Sequence, residues 1–135
     1  MASISIAAGD ETLFTWRDET YLYKGEGYEV ALCVRDGKYV CSGEGYEAAL
    51  TVRDNQAYQA ICQGDAHETY YALRDNQSHL ALCEGDGLET AYSIRDNGSY
   101  TAICKGESLE PEFAIRGGAL SVAQLAATLH ALGAL

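Results

Sequence analysis

The chain repeats itself, and the repeat limits its fold more than any other feature. Arg-Asp pairs begin at Arg17, Arg35, Arg53, Arg74 and Arg95, with Arg116-Gly117 as a degenerate sixth, at intervals of 18, 18, 21, 21 and 21 residues. Glycine-acid pairs keep step at Gly9-Asp10, Gly25-Glu26, Gly43-Glu44, Gly64-Asp65, Gly85-Asp86 and Gly106-Glu107. Six units therefore occupy residues 1–117, and residues 118–135 form an apolar tail. With 135 residues, the whole reads as one domain, 1–135.

Each unit holds two short runs of β-formers. The run before the arginine alternates large apolar residues with small ones: Phe14 and Trp16, Leu32 and Val34, Tyr71 and Leu73, Tyr92 and Ile94. That period of two belongs to a strand with one strongly apolar face. The second run places a single aliphatic residue, Leu22, Val40, Ile61, Leu82 or Ile103, on the same kind of face. Between the runs stand Asp, Asn, Gly and Ser, the residues of hairpin turns.

Parity then proposes a register. A three-residue loop at Asp36-Gly37-Lys38 pairs Arg35 with Tyr39, and the same register pairs Arg17 with Tyr21. A four-residue loop beginning at Asp96 pairs Arg95 with Tyr100, and by extension Arg53 with Tyr58 and Arg74 with His79. Each arginine is expected to stack on the aromatic opposite it, a contact worth about 0.5–1 kcal/mol at an exposed site.

The expected fold is all-β: six tandem β-hairpins in an antiparallel meander or closed barrel of about 12 strands. Closure removes exposed edges. Because eight strands already fill their interior, twelve leave a lumen. The tail supplies a plug, since Ala119 to Leu132 is helix-forming and almost uncharged, as a buried helix is. A β-solenoid and a trefoil are the competing folds; hairpin turns argue against the first and the change from 18 to 21 residues against the second.

Charge narrows the partners. Twenty acids against nine Lys and Arg give a net charge of −11, which repels phosphate backbones, so nucleic acid is not an expected partner. In a meander the acids concentrate in the connections between hairpins, as Glu26 and Glu29, Glu44 and Glu47, Asp65 and Glu68, Asp86 and Glu89. This acidic rim suits weak Ca2+ binding or a basic protein. Tyr21, Tyr39, Tyr58 and Tyr100, with Arg53 and Arg95, form a second candidate surface for a small neutral ligand, a protein or another copy in a homo-oligomer.

Catalytic and metal constellations are missing from the pattern. His67, His79 and His130 have no nucleophile at a suggestive spacing, and there is no phosphate-binding loop. Cys62, Cys83 and Cys104 recur every 21 residues, which is no zinc spacing, whereas Cys33 and Cys41 fall directly opposite one another. The start has no basic segment before an apolar one, and the tail is too polar to span a bilayer, so a soluble cytoplasmic protein without a membrane role is expected. The sequence reads as a non-enzymatic binding or interaction module. Two alternatives are a carrier or enzyme using the lumen, and a repeat protein that self-assembles.

Overall fold

The computed structural model describes residues 2–9 and 11–135. Twelve strands follow one another: β1 (Ala2–Ile6), β2 (Thr12–Trp16), β3 (Tyr21–Lys24), β4 (Val30–Arg35), β5 (Tyr39–Ser42), β6 (Ala48–Asp54), β7 (Gln59–Gln63), β8 (Tyr71–Asp75), β9 (Leu80–Glu84), β10 (Thr90–Asp96), β11 (Thr101–Lys105) and β12 (Pro111–Arg116). A helix, α1 (Val122–Ala131), ends the chain. Every strand pairs antiparallel with its sequence neighbours, and β1 pairs with β12, so the sheet closes into a barrel. Among the described residues no helix is long and apolar enough to cross a membrane.

Closure differs from a row of six complete hairpins. Five hairpins are continuous, and the sixth joins the two ends of the chain. Its pairs Ile4↔Ile115 and Ser3↔Arg116 repeat the Ile94↔Ile103 and Arg95↔Ala102 pairs of the β10–β11 hairpin. β1 is thus the second strand of the unit that β12 begins. The Arg116 guanidinium donates to Ser5 Oγ across this seam at 3.0 Å.

The register expected for the shorter units holds: Arg35 pairs with Tyr39 and Val34 with Val40. In the longer units it moves by two residues. Arg53 faces Ala60, Arg74 faces Ala81 and Arg95 faces Ala102, not Tyr58, His79 and Tyr100. The cause lies in the turn. Asp54, Asp75 and Asp96 are the last strand residues, and each carboxylate accepts a bond from the amide two positions on, at Gln56, Gln77 and Gly98. The third residue of each sequence Asp-Asn-x is left-handed, with φ of 66°, 69° and 87°. All three residues that lengthen the unit from 18 to 21 therefore sit in the hairpin turn. A shift of two preserves the faces, so the inward set is unchanged.

Every one of the twelve strands sends a large side chain into a single core, from Ile4, Trp16 and Leu22 round to Ile94, Ile103 and Ile115. Twelve strands about 4.8 Å apart and tilted about 40° close at a radius of roughly 12 Å. Side chains from the wall then leave a bore about as wide as one slim helix. α1 occupies it. Ala123, Leu125, Ala126, Ala127, Thr128 and Leu129 are all buried. Small alanines let the helix fit where leucines all round would overfill the bore.

The helix is shorter than Ala119 to Leu132 because its ends are written in its side chains. Ser121 caps it in a reciprocal pair with Gln124: Ser121 Oγ accepts from the Gln124 amide and Gln124 Oε1 from the Ser121 amide. At the other end Gly133 takes φ 80°, and the Ala134 amide donates to the Leu129 carbonyl. One directional bond crosses the core. Trp16 Nε1 donates to Thr128 Oγ1 at 3.0 Å, and that hydroxyl donates to the Gln124 carbonyl at 2.8 Å.

Candidate functional site

The outer face of the wall carries small residues, yet these too are buried: Thr15, Cys33, Cys41, Thr51, Ala60, Cys62, Ala72, Cys83, Ser93 and Cys104. Their cover is the set of glycine-acid loops, which fold back along the outside. The five that start at Gly25, Gly43, Gly64, Gly85 and Gly106 each begin with φ between 54° and 61°, a left-handed turn that an L side chain would strain. The Thr15 and Thr51 hydroxyls donate to the carbonyls of Gly25 and Gly64, and the Cys33 thiol donates to that of Gly45 at 3.6 Å.

The arginines fasten these loops. Arg35 donates to the Glu44 and Gly45 carbonyls at 2.8 Å each. Arg53 reaches Asp65 and Ala66, Arg74 reaches Asp86 and Gly87, and Arg17 and Arg95 reach Glu26 and Glu107. The two repeated motifs are thus halves of one clasp. A planar guanidinium suits it, because its parallel N–H groups meet successive carbonyls.

The same guanidiniums stack, but on other rings than expected. Arg35 lies over Tyr46 at 3.9 Å, and Arg17 lies between Tyr23 and Tyr28 at 4.5 Å from each. Arg74 covers Tyr58 of the preceding unit at 4.4 Å, and Arg116 covers Tyr100 at 5.1 Å. Tyr58 and Tyr100 belong to hairpin turns, and stacking links neighbouring units. Tyr21 and Tyr39 lie in strands on the outer face, half-buried. Of the second candidate surface, Arg53 and Arg95 are therefore engaged with loop backbone.

The rim acids Glu26, Glu29, Glu44, Glu47, Asp65, Glu68, Asp86 and Glu89 are all exposed on the loops. Asp10 lies outside the described residues. Among the described residues, no three His, Cys, Asp or Glu side chains converge as metal ligands would. The arginine heads lie against these loops and offset part of the rim's negative charge. One exposed ion pair forms there, Lys24 Nζ to Glu29 Oε2 at 2.7 Å.

A further set of loop residues was not singled out by the sequence. Tyr28, Tyr46, Leu88 and Leu109 are 85, 84, 81 and 76% exposed. They occupy one position in successive loops, the residue before the second acid, and His67 holds that position in the remaining loop. The signal was available: a large apolar side chain set between two acids in a loop has no core to enter. Open grooves run between loops. One, of about 550 Å³, is bounded by Arg35, Asp36, Tyr39, Tyr46, Glu47 and Asp65.

All five cysteines are reduced and buried. Cys33 and Cys41 are directly opposed across β4 and β5, as the spacing indicated. Burial pushes the Cys33 thiol above its ordinary value, Arg35 acts against the rise, and Cys41 adds to it.

These features define a class of architecture: a twelve-strand antiparallel repeat barrel, plugged by its own C-terminal helix and faced outside with arginine-clasped loops. No family model matches the chain, and neither a curated protein nor a solved structure is similar to it.

Proposed function

We propose that the protein is a non-enzymatic binding module that recognises its partner with the outside of the barrel, through the glycine-acid loops. The observation that carries this reading is the exposure of Tyr28, Tyr46, Leu88 and Leu109 at one position of a loop repeated round the wall. Large apolar side chains held in water on a fastened backbone suit recognition, because the loops are ordered before a partner arrives. The lumen supports a carrier or an enzyme less well, since α1 fills it with Leu125, Leu129 and five buried polar or alanine neighbours.

Paired capture tests the reading. The wild type and a variant with Tyr28→Ser, Tyr46→Ser, Leu88→Ser and Leu109→Ser serve as baits in one cell extract. Proteins retained by the wild type and lost by the variant are the expected result. Identical retention by both overturns it. A small molecule carried through purification and seen by native mass spectrometry would return the function to the lumen.

A further inference from the structure

We infer that the loops bind a basic polypeptide segment that also carries apolar side chains; this rests on the loop-binding reading above and gives its partner a chemistry. Two grooves lie between loops and a third runs along one loop. The first is bounded by Tyr46, Glu47 and Asp65, the second by Glu68, Tyr70 and Glu84, and the third by Glu84, Leu88 and Glu89. Each therefore pairs carboxylates with an aromatic or aliphatic surface. Among their lining side chains the one cation is Arg35, whose head is already bonded to Glu44 and Gly45, and Lys38 stands at the edge of the first groove against Tyr39.

The chain itself displays the contact a partner would make. Arg35 stacks on Tyr46 at 3.9 Å, and Lys38 stacks at 5.1 Å on Tyr39, whose ring lines the same groove. Tyr46 remains 84% exposed with that arginine in place, so most of its surface is open to a second cation or an apolar group.

Other occupants fit less of the surface. A bare cation would use the acids and leave Leu88 and Leu109 in water. A neutral sugar would use the tyrosines and leave the acids unpaired. Nucleic acid is repelled by the charge of −11, and a second copy of the chain carries that same charge. A segment with Lys or Arg between apolar residues satisfies both halves of each groove at once.

Titration calorimetry with a synthetic peptide of interspersed Lys and Leu tests the inference. Controls are one peptide with Ser for Leu and another with Glu for Lys. Three triple variants separate specific docking from general attraction to an acidic protein; all lie at exposed positions, and Asn in place of Asp54, Asp75 and Asp96 keeps the oxygen that accepts the turn amide. Tyr46→Ser with Leu88→Ser and Leu109→Ser changes no charge and is expected to weaken binding about tenfold or more. Glu47→Gln with Glu68→Gln and Glu89→Gln is expected to weaken binding and flatten its salt dependence. Asp54→Asn with Asp75→Asn and Asp96→Asn removes equal charge at the hairpin turns and is expected to leave binding unchanged.

Equal losses in the two charge variants, with none in the uncharged one, would overturn the inference, because the attraction would then be nonspecific. Failure of the wild type to bind the Lys-Leu peptide would overturn it too. In that event, loop-dependent capture in the bait experiment would still uphold the loops as a binding surface, and only the partner's chemistry would be wrong.

Discussion

Inside the barrel, Leu, Ile and Val side chains meet an alanine-rich helix with one buried hydrogen bond between them. Outside, thiols, alanines and hydroxyls lie under arginine side chains and loop backbone. Both faces of the same wall are buried, and they are buried by different physics. The inner layer gains from non-directional removal of apolar surface, about 25 cal/mol per Å². The outer layer is held by donors that must meet particular carbonyls, and its arginines stay partly hydrated. The inner layer should therefore carry global stability, while the outer layer sets the shape of the loops.

The largest effect expected of this contrast is on the plug. Leu129→Asp or Leu125→Asp puts an unpaired carboxylate into the core, adding several kcal/mol to the lost packing. Both variants should be unfolded or aggregated when followed by circular dichroism. The milder Leu129→Ala should cost about 2–5 kcal/mol and keep the fold. Near-wild-type melting of the aspartate variants would mean that the barrel stands without its helix, and the inner layer would lose its leading role.

Much of this arrangement was legible in the repeat. Strand number, inward residues and the buried tail follow from period-two patterning in copies that must all do the same thing. Closure through β1 was less visible, because "SISI" at residues 3–6 has no arginine or turn to mark it as half of a unit. The two-residue register error had a different origin. Parity cannot distinguish shifts of two, so Arg53 opposite Tyr58 looked as good as Arg53 opposite Ala60. The spacing from the aliphatic residue to glycine is constant, as in Val40 to Gly43 and Ile61 to Gly64, and it places all the extra length before Ile61. The clasp between arginine and loop was hidden for a third reason: fold-back onto the wall is a tertiary event that no local pattern encodes.

A smaller effect probes the buried directional link between wall and helix. Trp16→Phe strands the Thr128 hydroxyl only partly, because it still donates to the Gln124 carbonyl. The loss should be about 1–2 kcal/mol, including some packing. Thr128→Val should cost a similar amount by stranding the indole N–H. The double variant should cost less than the sum, with a coupling of about 0.5–1.5 kcal/mol from urea denaturation. Simple additivity would mean that the bond contributes nothing and that packing holds this part of the inner layer.

Smaller still is the expected effect of one outer clasp. Arg53→Ala removes two charge-assisted bonds to Asp65 and Ala66, but the group is partly hydrated, so the global cost should be about 1 kcal/mol or less. Its local effect should be larger. Hydrogen exchange in residues 64–69 should quicken while the strand amides of β6 and β7 keep their protection. Arg53→Lys should not restore the slow exchange, because an ammonium cannot span two carbonyls as a guanidinium does. Uniform loss of protection across the barrel would show that the loops share the stability of the wall.

The smallest expected effect comes from alkali, and it separates the layers by titration. Burial raises the Cys33 thiol, on the outer face, above its ordinary 9.0, and raises the Tyr71 phenol, on the inner face, above its ordinary 10.0. Neighbouring Tyr70, Glu84 and Tyr92 add to the shift of Tyr71. For an acid whose folded value is raised, the unfolded chain ionises first, and the folded state then binds more protons. The stability is whole below the ordinary value and is lost as pH rises through it, until the folded group itself ionises. Loss through Cys33 should begin near pH 9.0, and loss through Tyr71 near pH 10.0. Cys33→Ser keeps a hydroxyl to donate to Gly45 and removes the first of these. Its stability relative to wild type should therefore improve above pH 9.0 and hold steady below it. Tyr71→Phe should show the same behaviour a unit higher. Parallel stability curves for wild type and Cys33→Ser throughout the alkaline range would mean that the loop opens to let the thiolate reach water, and that the outer layer is a looser cover than its hydrogen bonds imply.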